Sequence, residues 1–321
     1  VMVLRLAAAA AAVLVSVNAV ADQYPSKPVR LVVPFAPGGG NDIAARFVAM
    51  RLTESFGQTA VVDNRAGAGS TIGTDIVAKS APDGYTLLVV HNAIAINQTL
   101  YSKLPYDTTR DFAQVALIGT TTNTLVVNPS LPARSTKELI ALAKSKPGVL
   151  NYGSTGAGGT AHLAMEYFKL ETGTNIVYIH YKGTAPALTD VVGNQVQLMI
   201  SALPGTMPFI NSKRVVPLAT TGAKRSAFLP DLPTLSEAGV AGYEFDTWYG
   251  VHAPAKVSKE IVAKLNAEIN KALSKPDVKE QLFKQGVEAQ VMTTADFTKY
   301  VRAEVAKMGR IIKASGAKAE P

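Results

Sequence analysis

Short apolar runs alternate along the chain with segments whose apolar positions recur at helical spacing. "VRLVVPF" (Val29–Phe35) reads as a buried strand, and the following "NDIAARFVAMRLTESFG" reads as a helix with Ile43, Phe47 and Phe56 among its apolar positions. "TAVVDN" predicts a short strand, "GSTIGTDIVAKSAPDG" a helix closed by a Pro-Asp-Gly turn, and "YTLLVV" (Tyr85–Val90) a third strand. The pattern restarts after Thr120-Thr121-Thr122. "TLVVNP" predicts a strand and "STKELIALAKSKPG" a helix whose Ser135 and Glu138 are spaced as a capping box. "VLNYGS", a glycine-rich turn and "AHLAMEYFKLETG" repeat strand, loop and helix. "NIVYIHY", "VQLMIS" and "VVPLATTG" follow as strands, and "YEFDTWYGVHAP" is a further strand-like run ahead of two lysine-rich helices. The last helix, from Thr294, sets Phe297, Val301, Val305, Met308 and Ile312 on one face and stops at Gly316.

This alternation predicts an α/β fold built on parallel, doubly wound sheets. The restart predicts two lobes. Residues 22–121 together with 248–321 form the first, and residues 122–247 form the second, inserted into it. Two crossover strands would leave a cleft between the lobes, a common place for a ligand.

The first 21 residues do not belong to that pattern. Arg5 is their only charge, Leu6 to Val15 is unbroken apolar chain, and Ala19-Val20-Ala21 supplies small residues at its end. This predicts a cleavable secretory signal peptide covering residues 1–21, since the apolar run is too short for a bilayer span of about 20 residues. With no cysteine in the chain, disulfides, thiolate catalysis and thiolate metal sites are excluded. Export without disulfides points to the bacterial periplasm. The formal net charge of +8 comes largely from lysines that alternate with acids on the C-terminal helices, the pattern of a solvated helix face. No basic cluster is interleaved with aromatics, so nucleic acid is not an expected partner.

Candidate chemistry concentrates in two glycine-rich loops. Pro37-Gly38-Gly39-Gly40-Asn41-Asp42 follows the first strand and opens a helix; "GSTGAGGTAH" (Gly153–His162) does the same in the second lobe. A helix N-terminus carries unpaired N–H groups and the positive end of the helix dipole, and glycine lets a ligand approach the backbone, so each loop suits an anion. Neither contains the Gly-Lys-Ser/Thr of a nucleotide P-loop or the G-x-G-x-x-G register. Either one alone favours a tight βα turn; one per lobe favours binding. Asp42 is placed to cap its helix and fix the first loop. No G-x-S-x-G elbow is present, and His91, His162, His180 and His252 show no metal-ligand spacing. His180 and His252 read as structural, and His162 as a support for its loop.

"YPSKPVRLVVPFAPGGGNDIAAR", "VVDNRAGAGSTIGTDIVAKSAPDGYTLL", "NYGSTGAGGTAHLAMEYF", "HYKGTAPALTDVVGNQVQLM" and "LPDLPTLSEAGVAGYEFDTWYGVHAPA" resemble the Bug-type substrate-binding proteins of tripartite tricarboxylate transporters, the TctC family. The blocks cover nearly all of the chain after residue 21, in the family's order. The resemblance implies a two-lobed, type II-like periplasmic binding protein that closes on a small carboxylate and acts with the membrane subunits of a transporter, without cofactor, metal or catalysis, as a monomer. It places the ligand against Phe35, Ala36, Pro37, Gly38, Gly39 and Gly40 in the first loop. In the second loop it uses Ser154, Thr155, Gly156, Gly158, Gly159 and Thr160. The loop His91, Asn92, Ala93 adds to the pocket from the first lobe; Tyr181, Lys182 and Gly183, with Ser201 and Ala202, add from the second.

Two positions depart from the family pattern. Gly159 stands where the family usually has serine, followed here by Thr160, which shifts or removes one hydroxyl contact. Ser201 stands where an aspartate is common. An acid there would suit a ligand ammonium, so its absence predicts a carboxylate without an amine, such as a dicarboxylate or an aromatic acid. A ligand-sensing receptor for a signalling system is the alternative within binding; an enzyme acting on a carboxylate would need a convergent acid–base pair that the sequence does not display.

Overall fold

The computed structural model describes residues 24–319, and the leader expected at residues 1–21 lies outside them. The chain builds two sheets. The first begins with β1 (Val29–Val33), β2 (Ala60–Asn64) and β3 (Thr86–His91), which pair in parallel and are linked by α1 (Gly40–Phe56) and α2 (Thr71–Ala78). Helix α3 (Ala93–Leu100) follows, and then β4 (Phe112–Thr121) leads out of the sheet. The second sheet contains β5 (Asn123–Val127), β6 (Asn151–Ser154), β7 (Val177–His180), β8 (Leu198–Ala202) and β9 (Val216–Thr220). Between them run α4 (Thr136–Ser145), α5 (Thr160–Thr172), α6 (Thr184–Val192) and α7 (Leu203–Asn211). Strand β10 (Thr247–Pro254) returns the chain to the first sheet, followed by α8 (Lys259–Leu273), α9 (Pro276–Lys284), the two-residue β11 (Glu288–Ala289) and α10 (Thr294–Ser315).

The strand orders are β11-β4-β10-β3-β1-β2 and β7-β6-β8-β5-β9. Both sheets are mixed, which corrects the all-parallel expectation. Strand β10 runs antiparallel to β3 and β4, and β5 runs antiparallel to β8 and β9. These two strands begin where the chain crosses between sheets, whereas their neighbours end there, so opposite directions follow from the crossing itself. The central strands are covered on both faces: Leu87, Leu88, Val89 and Val90 are all fully buried. One apolar core runs through both lobes, and a smaller cluster around Val126, Leu188, Val191 and Met199 lies under α6.

Side chains tie the crossing points. The Thr247 hydroxyl donates to Asn123 Oδ1 at 2.7 Å. Fully buried Asn92 donates to the Asp246 carbonyl at 2.9 Å and accepts from the Trp248 N–H at 3.0 Å. Helix α10 packs on α3 and β4 and also reaches α5 in the second lobe, and its Glu304 accepts from the Trp248 indole at 2.9 Å. Its expected apolar face is buried at Phe297, Val301, Met308 and Ile312, with Val305 half-buried, and it ends at Gly316 in the left-handed conformation. Ser135 caps α4 by accepting from the Glu138 N–H, but the Glu138 carboxylate reaches back to the Arg134 N–H, one residue beyond a capping box.

Candidate functional site

The C-terminal ends of β1, β3, β6 and β8 lead into the starts of α1, α3, α5 and α7, and these ends meet across the cleft between the sheets. Helix α6, entered from β7 through Gly183, starts there too. Phe35, Gly39, Gly40, Asn41, His91 and Tyr249 line the cleft from one side, and Thr155, Thr160, Ala161, Thr184, Ser201 and Ala202 from the other. The space among them is narrow and partly continuous with solvent. Ligands bind at such strand ends because helix N-termini and short loops gather there.

Four helix N-termini therefore border one small space: α1 at Gly40 and Asn41, α5 at Thr160 and Ala161, α6 at Thr184 and α7 at its cap Ala202. The first helical bond of α1 runs from Ile43 N–H to the Gly39 carbonyl, which leaves the N–H groups of Gly40, Asn41 and Asp42 without an acceptor inside the helix. In α5 the first bonds come from His162 and Leu163 to Gly159, which leaves Thr160 and Ala161 in the same position. Each helix end contributes about half a positive charge. Among the described residues, no lysine, arginine, aspartate or glutamate lines the cleft. His91 adds no charge either, since burial pulls its imidazole down to about 3. Its Nδ1 accepts from the Ala93 N–H at 3.0 Å and lies 3.0 Å from the Thr160 hydroxyl, so Nε2 carries the proton. The site is positive through dipoles alone, which suits an anion and gives an ammonium no counter-charge.

Three buried polar atoms in the lining have no partner among the described residues: Asn41 Oδ1, Thr155 Oγ1 and the Tyr249 hydroxyl. Leaving a buried polar atom unpaired costs about 1–3 kcal/mol. Burial also raises the Tyr249 phenol far above its ordinary value, which keeps it a donor. Tyr249 stands over the first loop because β10 pairs it with His91 of β3. A Cβ on Gly40 would overlap the Tyr249 hydroxyl, so this glycine serves close approach. A Cβ on Gly159 would likewise overlap the Thr155 hydroxyl.

The lobes touch on both flanks of this space. The Ala36 N–H donates to the Lys182 carbonyl at 3.1 Å, and Thr160 reaches His91. On the other flank Ala68, Gly69 and Ser70 form a left-handed turn with φ of 44°, 58° and 86°. Asn97 donates to the Gly69 carbonyl and to the Ser70 hydroxyl at 3.0 Å, and the Tyr101 hydroxyl reaches Ala157 of the second lobe at 2.9 Å. Gly69 packs against the Ala157 carbonyl and Gly158 against Asn97 so closely that neither could carry a Cβ.

Of the residues expected at the site, Phe35, Gly39, Gly40, His91, Thr155, Thr160, Ser201 and Ala202 line the cleft. Ala36, Gly156 and Gly158 lie at the contacts between lobes instead. Gly38 is held by Asp42, which accepts its N–H at 3.1 Å and also binds Arg46 and Asn64. Burial would raise the Asp42 pKa, but those donors outweigh it and hold the carboxyl below its usual range. The helix cap itself is Gly39, with no side-chain cap, so Asp42 fixes the loop without capping. Pro37 continues that loop, and Gly159 caps α5. Asn92 serves the crossing, with Ala93 beside it, and Ser154 is buried behind Thr155. Tyr181 donates to Asp190 at 2.6 Å, away from the lining. Asn41 and Ala161, which lie within the two candidate loops but were not placed against the ligand, also line the cleft, as do Thr184 and Tyr249, which the sequence did not single out.

Burial also pulls the imidazoles of His162 and His252 down to about 4 and 3. All three buried histidines take up a proton only on unfolding, where the value is 6.5. Their contribution is complete above pH 6.5 and is lost as pH falls towards 4 and 3. Asp246, raised to about 6 by burial, opposes this between 6 and its ordinary 3.8. Together these four groups are expected to lower stability from pH 7 to pH 5 by about 5 kcal/mol, about 2 from each of the three histidines offset by about 1 from Asp246. Urea unfolding at the two pH values measures it, and equal stabilities would contradict the neutral, buried imidazoles.

The family model described as "Tripartite tricarboxylate transporter family receptor" (TctC) matches residues 44–317. BugT of Bordetella pertussis is 38% identical over 301 residues, covering 93% of this chain and 92% of its own. Among solved structures, R. palustris Rpa4515 with adipate has a TM-score of 0.90 at 38% identity, over 92% of this chain and all (100%) of that one. MatC (Rpa3494) from Rhodopseudomonas palustris, with bound malate, has 0.86 at 29%, over 90% and 100%. The fold is the two-lobed α/β fold of periplasmic binding proteins. The extent of the family match and the full-length likeness to BugT agree with the paired glycine loops, and the chain belongs to the tripartite tricarboxylate transporter (TctC) receptor family.

Proposed function

We propose that this protein is a periplasmic solute receptor that closes two lobes on a small carboxylate and presents it, as a monomer, to the membrane subunits of a tripartite transporter. In this reading residues 22–121 and 248–321 make one lobe, residues 122–247 the other, and residues 1–21 direct export. The observation that carries it is the convergence of four helix N-termini on a cleft lined, among the described residues, by no charged side chain. The adipate and malate of the two related structures support a dicarboxylate. The uncharged Ser201, and the absence of any lining acid, favour an acid without an amine. No acid–base pair converges on the cleft lining, so the ligand is released unchanged.

The test is a thermal-shift screen of mono-, di- and tricarboxylates, followed by calorimetry on the hits. A ligand at 100 times its Kd adds about 2.7 kcal/mol to the unfolding free energy, which moves Tm by several degrees. Dicarboxylates are expected to shift Tm, to be recovered unaltered, and to bind more tightly than aspartate or glutamate. No shift across the panel would overturn the reading, and tighter binding of the amino acids would overturn its ligand class.

A further inference from the structure

We propose that the crossing between the lobes carries a proton-operated switch, in which protonation of Asp246 favours the closed receptor and so tightens its hold on the ligand. The inference rests on the two-lobed receptor reading above and adds a control remote from the cleft lining. Asp246 stands on the second crossing segment, next to the Thr247 that donates to Asn123 on the first. Its surroundings come from both lobes. Asp246 Oδ1, the Thr122 hydroxyl of the first crossing and the Lys224 carbonyl of the turn after β9 surround Gly222, all within 3.5 Å of where a Cβ would stand. From the first lobe, Asn92 donates to the Asp246 carbonyl, and α10 brings Tyr300, Glu304 and Lys307 near the carboxyl. Oδ1 is buried with no partner among the described residues. The charges around it work against ionisation. Glu244 on the same segment and buried Glu304 both oppose it, while the Lys307 ammonium that favours it is 3.6 Å from Glu244; Lys224 is exposed. Burial raises the Asp246 pKa to about 6, with Lys307 opposing and the two glutamates adding to the rise. Rotating one lobe against the other bends both crossings and parts these groups, which admits water to the carboxyl and returns it towards its ordinary 3.8. The closed form therefore binds this proton more tightly than the open one, and by reciprocity closure on a ligand takes a proton up. The gain appears as pH falls through 6 and is complete below 3.8.

Calorimetry with adipate and malate from pH 5 to pH 7, on the wild type and Asp246→Asn, tests this. Comparing the two proteins at each pH cancels the titration of the acids themselves. Between pH 5 and pH 7 the wild type is expected to lose about tenfold in affinity relative to the variant. At pH 6, in buffers of different ionisation heat, it should take up about half a proton more per ligand than the variant does. Lys307→Met removes the opposing charge and should move the midpoint of the wild-type profile to higher pH, which a merely structural role would not do. The thermal midpoint, measured separately, verifies that each variant is folded. A wild-type to Asp246→Asn ratio that stays constant across this range, with the acids still bound, would overturn the switch alone, as would a ratio that changes in the opposite sense. An unmoved midpoint in Lys307→Met would contradict Asp246 as the titrating group. No heat from either acid would remove the dicarboxylate-receptor reading and this inference together.

Discussion

Replacing Gly40 with alanine is expected to abolish carboxylate binding, with a loss of at least ~100-fold, as two hydrogen bonds to a charged group at about 1.5–3 kcal/mol each would imply. The added Cβ would overlap the Tyr249 hydroxyl and come within 2.8 Å of its Cζ. Tyr249 is fully buried on β10, between β3 and β4, and has nowhere to go. The start of α1 must move instead, taking the N–H groups of Gly40 and Asn41 with it. Overpacking of this kind also costs about 1–3 kcal/mol of stability, so calorimetry needs a companion. Tyr249→Phe keeps the ring and removes the hydroxyl, which has no partner among the described residues. It should weaken binding by roughly 10-fold or more, with a thermal midpoint equal to or above wild type. Wild-type affinity in Gly40→Ala would sink the close-approach argument.

Gly69→Ala attacks closure without touching the cleft lining. Gly69 occupies the left-handed turn with φ of 58°, and its Cβ would overlap the Ala157 carbonyl across the lobe boundary. The overlap exists only when the lobes are together. Local strain costs about 1–2 kcal/mol in any state. Opposition to closure should remove a further ~2–3 kcal/mol from binding, a 30- to 150-fold loss. Small-angle scattering supplies the second readout: the wild type should have a smaller radius of gyration with saturating ligand than the ligand-saturated variant. Equal affinity and equal radii would mean that this flank plays no part in closure.

The strands and glycine loops were legible because their signals are local. The apolar run of β3, the three glycines before α1 and the alternating acids and lysines of α8 each state their structure within a few residues. Strand β4 shows no such run, because Gln114 and Gly119 interrupt its apolar positions. Helix α7, "LPGTMPFIN", reads as a loop from its two prolines and glycine. It forms because Pro204 sits in the first turn, where a missing N–H costs nothing, and because Gly205 lets it approach Thr184. Tyr249 was invisible for a different reason. Only the register of β10 against β3, set by distant pairing, brings its hydroxyl to Gly40. Gly39, by contrast, meets Thr184 of the second lobe at ordinary contact distance, so the most glycine-rich stretch has its tightest constraint at Gly40.

The central claim is that an anion is held by backbone N–H groups at helix starts on both lobes, with no cationic side chain. The most direct measurement is a crystal structure with the carboxylate that gives the largest thermal shift. Carboxylate oxygens are expected about 3 Å from the N–H groups of Gly40 or Asn41 on one side and of Thr160 or Ala161 on the other. A carboxylate paired with Lys182 or another cation, or bound outside the cleft, would contradict it.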